Sequence, residues 1–347
     1  MVGNYLSYQS ATAVEENPMQ GKYISLEQYM NFVSGYGEKA SINLTRQFCF
    51  SSLSDNVQRV GMEFLYLHGY YSDLKKLIVR NKQSVNPINR KWGEVYQLFM
   101  DRKENIRPAN EILKEIDMIK TNLPDLTCLI RFLKIYLHFD LMQFERFGFY
   151  LDKQSELIGE IEDSLLSSFF QLRYDEAHFM YYWRRNQVIL ARKYAFKALN
   201  TRLCHERKAN IHVNLGLSYL FENYFSCIHH LEEAKKIGVQ YDLKHIVHAV
   251  EQHNLPFVSA HFGYVQGVTT NDPSEQAHLS IAEGNMDKAR EILNNLSLES
   301  PFRKYYKGLA CEDRALLLRS YNEFIIQRSD YFFSRLPLKA LKEKFDL

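Results

Sequence analysis

In stretch after stretch of this chain, apolar residues recur at three- and four-residue steps, the spacing of one helix face. In "EGNMDKAREIL" (283–293), Glu283-Gly284-Asn285 reads as a break between helices, after which Ala289 and Leu293 resume the helical spacing. With Ala277 before the break and Leu296 after it, a frame emerges: a small residue, a second small residue 12 positions on, and apolar residues 4 and 7 beyond that. Gly308, Ser320 and Phe324 repeat the frame, and Gly216 with Tyr219, Cys227, Leu231 and Ala234 repeats it one residue short. Ala191, Ala195 and Ala198 supply an earlier copy, making four imperfect copies between about 174 and 330. Around "HIVHAVEQHNLPFVSAHF" the gap has room for one more degenerate hairpin. Small side chains of this kind sit where two helices cross closely, as in tetratricopeptide-type repeats. A single hairpin cannot bury its own apolar face, so the copies must stack.

The earlier part of the chain is helical but less regular. Ser25 with Gln28 forms a capping box before "LEQYMNFV", Asp55 opens "NVQRVGMEFLYLHG", and Pro87 stands near a helix start. Residues 107–120 and 125–151 carry the three- and four-residue spacing. The expected fold is all-α, a right-handed superhelix of tetratricopeptide-like hairpins. Residues 1–22 form a poorly ordered lead-in, 23–170 irregular hairpins, and 171–347 the repeat region with a C-terminal cap.

Composition narrows the function. The chain has 347 residues, of which 46% are hydrophobic, and only 15 Gly and 8 Pro, too few turns for an all-β protein. A net charge of +2 gives no global pull toward nucleic acid or membrane. Cys49, Cys128, Cys204, Cys227 and Cys311 are dispersed, as reduced cytosolic thiols are. The start lacks the charged and apolar regions of a signal peptide, and "LTCLIRFLKIYLHF" (126–139) is too short to span a bilayer. A cytoplasmic protein is expected.

No catalytic motif is present, so neither an enzyme nor a cofactor is expected. "GYGEKA" (35–40) resembles a Gly-rich nucleotide loop, but no strand precedes it and a loop between helices explains it. His245, His248, His253 and His261 lack cysteines or paired carboxylates in ligand spacing, so no metal is expected. Two basic stretches stand out. Lys75, Lys76, Arg80, Lys82, Arg90 and Lys91 lie between Asp73 and Glu94 with no acid among them, a charge run that fits phosphates or a solvated loop. The second runs from Arg184 and Arg185 through Arg192, Lys193, Lys197 and Arg202 to Arg207 and Lys208, relieved by Glu206, and fits an anion such as a peptide carboxylate or a solvated outer face.

The last repeat, "YYKGLACEDRALLLRSYNEFIIQRSDYFFSRLPLKAL" (305–341), is similar to the C-terminal region of the arbitrium receptor (AimR) family. The matching elements are Tyr305, Lys307 and Gly308, Ser320 and Phe324, Asp330 and Phe332, and Arg335 through Leu338. "LGLSYLFENY" (215–224) and "KWGEVYQL" (91–98) resemble further stretches of the family, and the likeness covers roughly 26–341. The resemblance implies an intracellular helical-repeat receptor for a short secreted and re-imported peptide, usually a homodimer. In that family an N-terminal helix-turn-helix binds phage operator DNA until the peptide intervenes, and the receptor governs lysis against lysogeny.

Departures from the family shape the expectations. The match begins after the family's DNA-reading helices, and the first 60 residues hold four bases (Lys22, Lys39, Arg46, Arg59) against five acids (Glu15, Glu16, Glu27, Glu38, Asp55). A DNA-reading head is therefore expected to be missing. The family continues past Leu338 with a capping helix used in dimer contacts, where this sequence runs nine residues further. In the peptide pocket, an Asn of the family is Leu217 here, a carboxylate-binding Arg falls at Glu206, and a further Asn aligns with Met180, while Asp330 is retained. Asp330 is expected either to pair with an Arg of the ligand or to cap the helix before "YFF". With Glu206 reversing the local charge, either the ligand differs or Arg207 and Arg184 take over the carboxylate. The expected groove combines Met180, Tyr181, Arg184 and Tyr219 with Asp330. The alternatives are an interaction scaffold that has lost peptide sensing and a DNA-binding regulator using the 75–91 stretch.

Overall fold

A computed structural model describes residues 24–201 and 204–345, so the lead-in 1–22 and Arg202 lie outside the described residues. Every regular element described is helical. The first nine helices are α1 (Leu26–Val33), α2 (Glu38–Ser51), α3 (Asp55–Leu67), α4 (Tyr71–Lys82), α5 (Pro87–Lys103), α6 (Ala109–Ile116), α7 (Pro124–Asp140), α8 (Arg146–Leu151) and α9 (Gln154–Gly159). Their starts follow local chemistry: the Ser25–Gln28 capping box is formed, Ser54 rather than Asp55 caps α3, and Asn86 caps α5 with Pro87 at its first position. The stretch 125–151 is divided into α7 and α8, with Met142 in the left-handed region at the turn. "GYGEKA" carries a 3₁₀ turn and the entry to α2.

The repeat half follows as α10 (Ser164–Arg184) with α11 (Val188–Leu199), and α12 (His205–Ser218) with α13 (Tyr224–Gln240). After α14 (Lys244–Ala249) and α15 (Leu255–Phe262) come α16 (Pro273–Ala282) with α17 (Met286–Asn294), α18 (Pro301–Cys311) with α19 (Arg314–Asn322), and α20 (Arg335–Phe345). The four frames read from the sequence thus correspond to α10/α11, α12/α13, α16/α17 and α18/α19. Gly284 makes the turn between α16 and α17 at φ +80°, where an L side chain is strained.

One expectation is corrected. Residues around 246–262 do not form a degenerate hairpin but one continuous helical rod, α14 running into α15 through a π segment, Val250–Asn254. Pro256 lies within the rod and has no N–H for the carbonyl four residues back. That carbonyl, Gln252 O, instead accepts the Thr270 hydroxyl at 2.7 Å, and the rod survives.

Two hydrophobic clusters fill the molecule, one built mainly from α1–α10 and one from α10–α20. Helix α10 belongs to both: Leu166, Phe170 and Ala177 face the first, and Leu172, Phe179 and Trp183 the second. Its charged side chains reach in several directions, Arg173 to Glu63, Asp175 to Lys197, Glu176 to Arg207, and Arg184 to Asp330. This helix is the spine on which the two halves hang.

The small residues of the frame do what their size permits. Ala191, Ala277 and Ala289 are fully buried, and a Cβ on Gly216 would lie 2.9 Å from Cys227 O. Backbone cannot rotate away as a side-chain tip can. We therefore expect Gly216→Ala to cost about 1–3 kcal/mol through overpacking, outweighing the better helix propensity of Ala. Urea denaturation measures it, and a variant as stable as the parent would show the α12/α13 crossing to be slack.

Candidate functional site

The first helices of successive repeats turn one side toward a common cleft. A cavity of about 270 Å³ lies between Leu217 of α12, Phe257 of α15, Glu275 of α16 and Phe302 and Tyr306 of α18. It is closed by the segment after α19, through Arg328, Asp330 and Phe333, and by Met142 and Phe144 from the α7–α8 turn. A second cavity of about 400 Å³ adjoins it, sharing His253, Glu275, Phe302, Tyr306 and Arg328 and adding Asp272, Glu299 and Arg303. The inner wall is aromatic and the rim is charged. Glu275 accepts the Tyr306 hydroxyl at 3.1 Å, and His253 Nδ1 stands 3.6 Å from Asp272.

Of the candidate peptide contacts named from the sequence, the fold brings Arg184, Leu217 and Asp330 to this cleft, together with His253 of the histidine group. Arg184 and Asp330, far apart in the chain, are partners: Arg184 Nη1 donates to Asp330 Oδ2 at 2.6 Å. Asp330 Oδ1 accepts Phe333 N–H at 3.0 Å, so the capping role is filled as well. The backbone adds a third tie, since Arg184 O accepts the N–H groups of Tyr331 and Phe332. The guanidinium lies among the rings of Phe144, Trp183 and Phe333, 4.4–5.2 Å from their centroids. Asp330 is thus already matched by a cation of its own chain.

The other candidates stand elsewhere. Met180 is half-buried and packed against both clusters, and Tyr181 packs over Gly148. Tyr219 lies under Arg192, 3.6 Å from its ring centroid, and stacks on His230. Glu206 and Arg207 sit at the opposite end of α12 from Leu217, about 16 Å away along the helix. Glu206 meets Lys103 and His245 at 3.3 Å, and Arg207 is ion-paired with Glu176. Arg207 is buried, which works against its charge, but the Glu176 carboxylate outweighs that and raises its pKa.

The cations of the 75–91 stretch are divided between two helices and mostly engaged. Lys75 pairs with Glu104 and Lys76 with Asp73, while Arg80 donates to Phe50 O. Arg90 donates to Ser84 O and Val85 O, Lys91 donates to Lys120 O, and the Lys82 stem packs on Gly93. Of the four histidines, His245 turns to Glu206, His253 stands near Asp272 with His248 edge-on to its ring at 5.5 Å, and His261 packs edge-on to Phe221 and Phe262. Among the described residues no group of three or more potential ligands gathers for a metal ion.

Sequence reading missed Glu275, Phe302, Tyr306 and Arg328. A signal for two of them was present: Glu275 and Tyr306 each stand two residues before a small crossing residue, Ala277 and Gly308. That shared position in the frame turns toward the cleft.

These features define a helical-repeat protein with a ligand-sized cleft on the inner face of its stack. The family described as AimR transcriptional regulator-like matches residues 41–343, and the chain belongs to that family. It is 22% identical over 334 residues to the AimR transcriptional regulator of Bacillus phage SPbeta, covering 90% of this chain and 83% of the relative. The same figures hold for the SPbeta prophage-derived uncharacterized protein YopK of Bacillus subtilis (strain 168). Among solved structures, that of phAimR with ligand matches with a TM-score of 0.77 at 19% identity, over 93% of this chain and 98% of that one. Selenomethionine phAimR matches with a TM-score of 0.67 at 20% identity, over 92% and 85%. The fold is accordingly the all-α repeat superhelix. Among the described residues no helix is long and apolar enough to cross a membrane.

Proposed function

We propose that this chain is an intracellular regulatory receptor that takes a short communication peptide into the cleft and thereby controls phage lysis–lysogeny gene expression. The observation that carries the proposal is the pair of adjoining cavities, about 270 and 400 Å³, with an aromatic inner wall and charged groups of both signs at the edge. That combination suits an extended peptide, whose side chains need apolar cover and whose ends are charged. Membership of a regulator family and likeness in fold to a ligand-bound relative support the same reading. Direct DNA contact through the 75–91 stretch is disfavoured, because most of its cations are already bonded within the fold.

Calorimetry with synthetic hexapeptides, together with thermal shift, tests the receptor reading. Binding that is abolished by Phe302→Ala is the expected result. No heat and no shift with any peptide would favour the second reading, a protein-docking scaffold. The outer face of α11 gives that reading its support, since Ile189, Leu190 and Phe196 are exposed there.

A further inference from the structure

Another cavity, of about 200 Å³, lies under the C-terminal helix α20 and shares no lining residue with the two cavities of the cleft. Its body is apolar, made by Ala260 of α15, Ile281 of α16, Leu309 of α18, and Leu336 and Ala340 of α20. Three polar side chains interrupt that lining: His261, His278 and Tyr305. His278 is 3% exposed and its Nδ1 has no hydrogen-bond partner, since Glu275 Oε2, at 3.6 Å, stands beyond bonding distance. Its ring stacks on Tyr306 of the cleft at 4.3 Å and meets Tyr305 edge-on at 6.4 Å. One imidazole thus stands between this cavity and the cleft. A buried polar group short of partners on a cavity wall is the usual mark of a missing hydrogen-bonding occupant.

The mouth is charged but balanced. Lys339 pairs with Glu343 at 3.7 Å, and Lys344 with Glu312 at 3.0 Å. A charged ligand finds no free counter-charge there. The inner groups set a further requirement. Burial pushes the His261 pKa down to about 4, with His278, Lys339 and Arg335 acting the same way against a hydrogen bond to the Leu220 backbone. At neutral pH His261 is therefore uncharged, and the nitrogen that Leu220 does not take is an acceptor. Burial raises the Tyr305 pKa, so its hydroxyl keeps its proton and both donates and accepts. A molecule suited to these groups is neutral, has an apolar body and brings one hydroxyl. An apolar cavity of about 150 Å³ is enough for benzene, so this one has room for a ring with a substituent.

We propose that this cavity is a ligand site separate from the cleft, taking a small phenol or aromatic alcohol whose hydroxyl bonds within the His261, His278 and Tyr305 cluster. The ring of the ligand lies against Ile281, Leu309 and Leu336 and braces α20 against α16 and α18. The site is independent of the receptor reading, because its occupant is no peptide and the cleft lies beyond His278.

Phenol is the probe, titrated against the full chain by calorimetry and thermal shift, with toluene and benzoate for comparison. Phenol is expected to raise the Tm, to slow amide exchange across α20, and to bind about fivefold more tightly than toluene, the effect of one net hydrogen bond. Benzoate, charged and of like size, should bind about tenfold more weakly than phenol. Ala340→Leu, which fills the cavity from α20, should abolish phenol binding, with circular dichroism to confirm that the helices are kept. His261→Leu, at a partly buried position, should bring phenol down to the level of toluene. No binding of phenol to the parent, undiminished binding in Ala340→Leu, or a preference for phenol that survives in His261→Leu overturns the site. Benzoate bound as tightly as phenol overturns the neutral ligand class and the proposal with it.

Discussion

Glu63→Gln is expected to lower the free energy of unfolding by about 3–5 kcal/mol, read from urea denaturation, although it changes one atom in a side chain far from the cleft. Glu63 of α3 and Arg173 of α10 are both fully buried, 110 positions apart, and face each other as a fork on a fork. Arg173 Nε donates to Oε1 at 2.6 Å and Nη2 to Oε2 at 2.8 Å, and the Tyr96 hydroxyl donates to the same carboxylate. Gln keeps the shape but not the charge. The guanidinium, which stays protonated, is then left over the rings of Tyr66 and Phe99 with no anion to answer it. The loss arises from the orphaned charge rather than from the intrinsic strength of the pair. Accordingly, the triple change Glu63→Met, Arg173→Met and Tyr96→Phe should return to within about 1 kcal/mol of the parent. A loss below about 1 kcal/mol in Glu63→Gln would mean that water reaches the pair, contrary to its burial.

That pair also shows what a linear reading can and cannot see. The repeat frame was legible because close helix crossings leave a local trace: Gly216 and Gly308 have no room for a Cβ, and any sequence making that crossing must place a small residue there. The all-α class and four hairpins followed from such positions. The rod through Pro256 was not legible, because the group that answers the freed carbonyl is Thr270, in the loop after the helix. Nor was the pairing of Arg184 with Asp330, separated by 146 positions. Each was singled out from the sequence as a group facing a ligand, and only the fold shows them facing one another.

The Arg184–Asp330 pair gives the second large effect, and it decides between two roles for Asp330. If Asp330 were a free clamp for a ligand cation, Asp330→Asn would weaken peptide binding and leave stability nearly untouched. The observed geometry predicts the reverse order of effects. Asp330 is 2% exposed, its carboxylate balances a guanidinium enclosed by three aromatic rings, and the strand of chain it caps is bonded through Tyr331 and Phe332 to Arg184 O. Asp330→Asn and Arg184→Met should therefore each destabilise the protein by about 3 kcal/mol, since either leaves a desolvated charge behind. The double variant should cost less than the sum, with a coupling of about 2 kcal/mol in a double-mutant cycle. Because α10 is shared by both hydrophobic clusters, loss of the tie should also loosen the C-terminal cap before the rest unfolds, visible as faster amide exchange across α20 than across α3. Additive single effects would place Arg184 and Asp330 in independent roles and return Asp330 to the ligand.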